Sequence, residues 1–268
     1  QNLYFAMYAD TSTKIKIAGT ELKVSQSTNY PNEGLIKINL EPEEPVTFSI
    51  HLRIPTWTGE QFVPGKLYKY INKNTEKWKV SVNGKIINPK VELGFAVIER
   101  LWKKGDQVIL ELPMPTHLNS CDKRVEENHD RISYTRGPFV LCAEEVDNEG
   151  ATQRFFLTSK SPLEQVKLSK VKLPSGSFFQ VKSKAYALLA NGKSEIRNLD
   201  LVPYYAWNNR KPGSMTIWFP TNPKLAVFDP HKLPKKSVFS TIKASHTSDL
   251  DTISAVGDGK QPRWSSGK

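Results

Sequence analysis

The chain has 268 residues, with 38 lysines and arginines against 27 aspartates and glutamates for a net charge of +11. At about 100–200 residues per domain this length predicts two domains, and a 38% hydrophobic fraction is enough to pack their cores. No apolar run approaches the roughly 18 residues that cross a bilayer, and the composition is neither collagen-like nor that of a disordered chain.

The positive charge is dispersed. Only nine of the 38 basic residues are arginine, scattered from Arg53 to Arg263, whereas a nucleic-acid reader gathers arginine on one face. Neither a nucleic-acid partner nor a membrane partner is expected. The lysines read as the solvated faces of strands, or as a surface turned toward an acidic partner domain. Cys121 and Cys142 are the only cysteines; they are too few for a disulfide framework and lack the paired spacing of a zinc site, so no metal or cofactor is expected in this chain. The first residues lack the basic, apolar and small-residue sequence of a secretory signal. Residues 1–5 look like a protease-tag scar, yet residues 3–8 read as a strand.

Period-two alternation dominates in chain order. Residues 14–18 and 21–25 flank Gly19-Thr20 as a hairpin with one wet face. Residues 35–40 and 46–54 repeat the pattern, and Pro55 closes the second of them. Residues 78–82 and 85–87 flank Asn83-Gly84, whose residue types accept the positive φ angles of a type I′ turn. Residues 95–100 and 107–112, around Gly105-Asp106, are expected to pair. Pro113-Met114-Pro115 stiffens the chain and is the best domain boundary. Beyond it, strands are expected at 131–135, 139–143, 153–157, 166–168, 178–181, 186–189 and 215–219. Short strands separated by turn signals mean sandwiches, so the fold class is all-β: two antiparallel β-sandwich domains over 1–115 and 116–220, the last strand returning toward the first. Residues 221–268 read as a proline-rich linker and the start of a further module.

Three constellations could carry chemistry. Glu126, Glu127, His129 and Asp130 offer an acid/base pair; a solvated loop explains them as well. Glu144, Glu145 and Asp147 resemble the paired carboxylates of a glycosidase, but neighbours on a strand point to opposite faces, so Glu144 and Glu145 cannot face one substrate without a bulge. In Tyr204, Tyr205, Trp207, Asn209 and Arg210, aromatics interleave with an amide and a cation, as in a sugar-stacking platform or a domain interface. A core tryptophan followed by a polar turn is the simpler alternative, and burial would make Trp207 worth about 3–5 kcal/mol. With Arg136 at the start of a Gly137-Pro138 turn, these residues are expected to knit the second sandwich to the first and to a further domain, Arg210 pairing with a carboxylate across the interface.

The motifs Asn29-Tyr30-Pro31 with Gly34, Leu52-Arg53-Ile54-Pro55 with Trp57, Val82-Asn83-Gly84, Trp102-Lys103-Lys104-Gly105-Asp106, Leu112-Pro113-Met114-Pro115, Arg136-Gly137-Pro138 with Cys142-Ala143-Glu144, and residues 203–210 occur in one order. In this they resemble the C-terminal half of glycoside hydrolase family 127, the β-L-arabinofuranosidase family. The resemblance implies two sandwiches that follow an (α/α) barrel and support it. It also implies a periplasmic or secreted parent whose barrel supplies a zinc-bound cysteine nucleophile, a glutamate acid/base and a Cys-Cys-Pro zinc motif. No position here matches those residues, so the chain is expected to begin after them and to carry no catalytic or metal residue. The alternative is a carbohydrate-binding module for plant-type glycans. Residues 243–248 and 257–259 are similar to the opening of a discoidin-like sugar-binding module.

Overall fold

The structure, a computed structural model, describes residues 1–72, 75–158, 167–173 and 176–228. Val166, residues 229–236 of the expected proline-rich linker and the tail expected to open a further module lie outside the described residues. The first sandwich is built from β1 (Asn2–Phe5), β2 (Thr11–Ile17), β3 (Thr20–Thr28), β4 (Leu35–Pro42) and β5 (Val46–Arg53). After an excursion that contains β6 (Tyr68–Tyr70), it is completed by β7 (Lys79–Val82), β8 (Lys85–Ile87), β9 (Lys90–Glu92), β10 (Phe95–Trp102) and β11 (Asp106–Glu111). One sheet runs β1-β5-β10-β9 and the other β2-β3-β4-β11-β7-β8. Leu22, Ile36, Ile38, Leu40, Ile50, Leu52 and Leu110 are buried between them, as alternation requires.

Residues 1–5 are structural: β1 pairs with β5 in parallel and Phe5 is buried. Both hairpins form, with Ala18, Gly19, Asn83 and Gly84 at positive φ. Residues 95–100 and 107–112 do not pair with each other, contrary to expectation. β10 lies between β5 and β9, while β11 lies between β4 and β7. Gly105 turns the chain at φ +89 and donates its N–H to Leu40 O at 2.9 Å, so the turn crosses from one sheet to the other. Alternation identifies a strand's wet face but not its partner.

The second sandwich comprises β12 (Thr116–Cys121), β13 (Arg131–Arg136), β14 (Phe139–Glu144), β15 (Phe155–Phe156), β16 (Lys167–Leu173), β17 (Gly176–Leu188), β18 (Ser194–Pro203), β19 (Met215–Thr216) and β20 (Phe219–Pro220). Its hydrogen-bonded path is β15-β17-β18-β14-β13-β12-β6, around Leu118, Tyr134, Leu141, Phe155, Leu199, Leu201 and Phe219. Three expectations change here. The strands at 178–181 and 186–189 belong to one strand, β17, paired with β16 over residues 176–182 and with β18 over residues 181–188. Residues 153–157 begin with a 3₁₀ turn, Thr152–Arg154, and only Phe155–Phe156 is strand. The strand at 215–219 splits, β19 bonding to β14 and β20 to β13.

The two sandwiches share a seam. β6, which no alternation marked, pairs with β12, and the Tyr70 ring stacks on His117 at 3.9 Å. Asn72 continues the seam, its side chain accepting from Leu118 N at 2.8 Å. His117 is 2% exposed, and neither ring nitrogen has a partner among the described residues. Burial lowers its pKa below the ordinary histidine value. The unfolded chain therefore takes up a proton as pH falls below about 6.5 while the fold resists it, so stability holds above that pH and declines below it. Denaturant unfolding of the wild type should lose more stability between pH 7.5 and pH 5 than that of His117→Phe, which keeps the ring stack without the titration; equal losses would remove His117 as the cause.

Candidate functional site: the 204–210 loop and the inter-sandwich ridge

β14 ends in Glu144, which is 3% exposed and is followed by the 3₁₀ turn Glu145–Asp147. Arg210 reaches into this turn. Its Nη1 donates to Asp147 Oδ1 at 2.6 Å and its Nη2 to Asp147 Oδ2 at 2.5 Å, a bidentate fork, and Nη2 also pairs with Glu144 Oε2. Glu144 Oε1 accepts the Asn208 N–H at 2.8 Å, and Phe178 lies under the guanidinium at 5.4 Å. The hydrogen bond to Asp147, more than any other contact, raises the Arg210 pKa against its burial. Glu145 turns elsewhere, accepting from Ser214 N and Ser214 Oγ, each at 2.9 Å. The carboxylates at 144 and 145 thus diverge, and both anchor the 208–214 segment. Arg210 finds its carboxylates inside the second sandwich, which corrects the expected pairing across an interface.

This anchoring presents the aromatics outward. Tyr204, Tyr205 and Trp207 are 45%, 57% and 41% exposed, so Trp207 is not a core residue. The Tyr204 and Trp207 rings stack at 5.9 Å and 16°, held by a Trp207 N–H bond to Tyr204 O at 3.1 Å. Asn208 turns the chain at φ +61, and Asn209 is exposed. Arg136 joins the ridge from the other side. Its guanidinium lies 5.0 Å over Phe179, which meets Phe139 at 5.3 Å, and Phe139 meets Tyr205 at 5.3 Å. Arg136 Nη1 also donates to Asn32 O of the first sandwich at 3.1 Å. Beside it, Gly137 at φ +52 fits against Met114, whose Cε lies 2.1 Å from where a Cβ would stand. Arg136 and Gly137 thus each touch the first-sandwich side of the seam, through Asn32 and Met114.

The other constellations stay apart. His129 Nδ1 lies 3.2 Å from Asp130 Oδ2 on an exposed loop, and Glu126 and Glu127 occupy the preceding 3₁₀ turn. Cys142 is buried on β14 with its thiol pushed up to about 12 by burial, and Cys121 sits on β12. Among the described residues no group of three or more His, Cys, Asp or Glu could hold a metal ion. Sequence reasoning missed Glu144 and Asp147 as anchors. The available signal was an acid at an alternation position that continues a buried apolar strand, which requires a cation.

The described residues thus form two β-sandwiches, the second of which carries an exposed aromatic ridge on the 204–207 turn. Residues 2–114 match the family description "Beta-L-arabinofuranosidase, GH127 middle domain" and residues 116–220 match "Glycoside hydrolase family 127 C-terminal domain". The chain belongs to glycoside hydrolase family 127, of which it covers non-catalytic domains. It is 26% identical over 215 residues to the non-reducing end beta-L-arabinofuranosidase of Bifidobacterium longum subsp. longum, covering 74% of this chain and 30% of that protein. Among solved structures it is similar to the GH127 beta-arabinofuranosidase BT3674, with 30% identity, a TM-score of 0.77 and coverage of 84% of this chain and 36% of that one. It is also similar to Ara127N-Se, a GH127 beta-L-arabinofuranosidase from Geobacillus stearothermophilus T6, with 25% identity, a TM-score of 0.70 and coverage of 82% and 33%. The chain thus spans about a third of the length of these relatives, and in the family these domains accompany a catalytic barrel.

Proposed function

We propose that this chain packs on and supports the (α/α) catalytic barrel of a family 127 glycoside hydrolase acting on arabinofuranosides, with Tyr204, Tyr205 and Trp207 as its contact. The observation that carries this reading is the combination of exposed rings with a buried ion cluster beneath them. Holding three rings in one arrangement costs side-chain entropy, and a loop already fixed by Arg210, Glu144 and Asn208 has met that cost before a partner arrives. Aromatic residues and arginine are also the types enriched in interface cores. In this reading the nucleophile, the acid/base and any zinc belong to the barrel, and the positive charge of the chain faces it. The parallel Tyr204–Trp207 stack favours a second reading, a platform on which a plant-type glycan would lie.

The isolated chain should release no arabinose from aryl β-L-arabinofuranosides, with or without added zinc. Trp207→Ala should move its melting temperature by only about 1–2 °C, the scale of a surface change, and should leave any glycan affinity unchanged. Turnover lost on substituting Glu144 would refute the non-catalytic reading. Loss of glycan binding in Trp207→Ala would favour the platform.

A further inference from the structure

We propose that the cleft between the two sandwiches is a binding site for a carboxylate-bearing sugar, a uronate, with Arg136 as its anion ligand. The cleft has a volume of about 450 Å³ and runs between the 29–33 loop of the first sandwich and β16 and β17 of the second. That volume is suited to a small ligand, on the scale of about 300–1,000 Å³ for such sites. A wider depression of about 780 Å³ along Glu33, Lys77, Lys79 and Glu111 has no aromatic wall.

The chemistry centres on Arg136. The guanidinium has five N–H donors in a rigid fork, and the described residues supply one acceptor, Asn32 O. Arg100, Arg124, Arg197 and Arg210 each lie within 4 Å of a carboxylate. Arg136, like Arg53, Arg131 and Arg154, has no such ion pair among the described residues, and Glu33 acts on it only through its field. Burial lowers the pKa of the Arg136 guanidinium, so the cation bears a desolvation cost that an anion in the cleft would offset. The exposed Lys170 adds a second positive charge at the rim. Asn29 and Asn32 bring side-chain amides, and Glu33 a carboxylate, groups that exchange hydrogen bonds with vicinal hydroxyls. A uronate carries both halves of this complement, one carboxylate and a set of hydroxyls. A neutral sugar would leave the guanidinium unpaired, and a simple anion would leave the amides unused. The proposal does not rest on the barrel contact.

Heteronuclear NMR titration of the 268-residue chain with glucuronate and galacturonate tests it, with glucose, galactose and acetate as controls. Saturable shifts are expected for the uronates, with each control at least about tenfold weaker, as expected when a buried polar group loses its partner. Arg136→Gln should abolish the uronate effect. Because Arg136 also holds Asn32, melting curves would establish that this variant folds. Lys170→Glu, at an exposed position, should weaken binding several-fold whatever Arg136→Gln does. Equal affinity for neutral sugars, wild-type affinity in Arg136→Gln or Lys170→Glu, or no saturable uronate binding would overturn the proposal. Shifts at Arg136 that arise only when a catalytic barrel is attached would also overturn it and assign the guanidinium to a barrel carboxylate.

Discussion

Arg210→Met should destabilise the second sandwich by about 3–5 kcal/mol, the cost of leaving a buried ion cluster without one partner. The side chains of Arg210, Glu144 and Asp147 are 14%, 4% and 12% exposed. Removing the guanidinium therefore strands two carboxylates that water reaches poorly. The loss would propagate, because Glu144 also receives the Asn208 N–H and so fixes the aromatic loop. Adding Glu144→Gln and Asp147→Asn to Arg210→Met should recover much of the stability, since neutral amides carry a far smaller burial cost. Urea unfolding of the single and triple variants measures this. Additive losses with no recovery would show that Arg210 matters through packing on Phe178 rather than through charge.

Trp102→Ala should be comparably severe in the first sandwich, about 3–5 kcal/mol for truncating a buried aromatic. Trp102 is fully buried at the point where β10 ends and the chain crosses to the other sheet. Its Nε1 donates to Phe48 O at 3.0 Å, its ring meets Phe48 at 5.9 Å, and Arg100 covers it at 5.2 Å. Trp102→Phe would restore much of the volume but leave the Phe48 carbonyl without this donor, so an intermediate loss is expected. Denaturant midpoints for the three proteins should rank wild type, phenylalanine and alanine. A phenylalanine variant equal to wild type would make the hydrogen bond irrelevant.

The all-β class and both tight hairpins were legible because side chains alternate with period two and because Asn83-Gly84 dictates a turn. Strand partners were not, since β10 and β11 share a turn yet join different sheets. β18 went unmarked although Leu199 and Leu201 alternate with Asn198 and Asp200. β6 is three residues long and gains its order from β12, a long-range contact with no local trace. At the site, residues 204–210 stood out by composition. Their exposure depended on a fact outside that window, namely that Glu144 and Asp147, more than 60 positions earlier, hold Arg210 from below. Arg136 was marked for joining the sandwiches, but its cleft depended on Phe179 and the 29–33 loop arriving from both domains.

The most direct test of the central claim is to fuse this chain to the catalytic barrel of the BT3674 relative, in place of that protein's own sandwiches, and to measure how fast heat inactivates hydrolysis of an aryl β-L-arabinofuranoside. The fusion should outlast the bare barrel, and Tyr204→Ser combined with Trp207→Ser should return it to the bare-barrel rate while the chain's own melting changes little. A doubly substituted fusion as persistent as the unsubstituted one would contradict the contact.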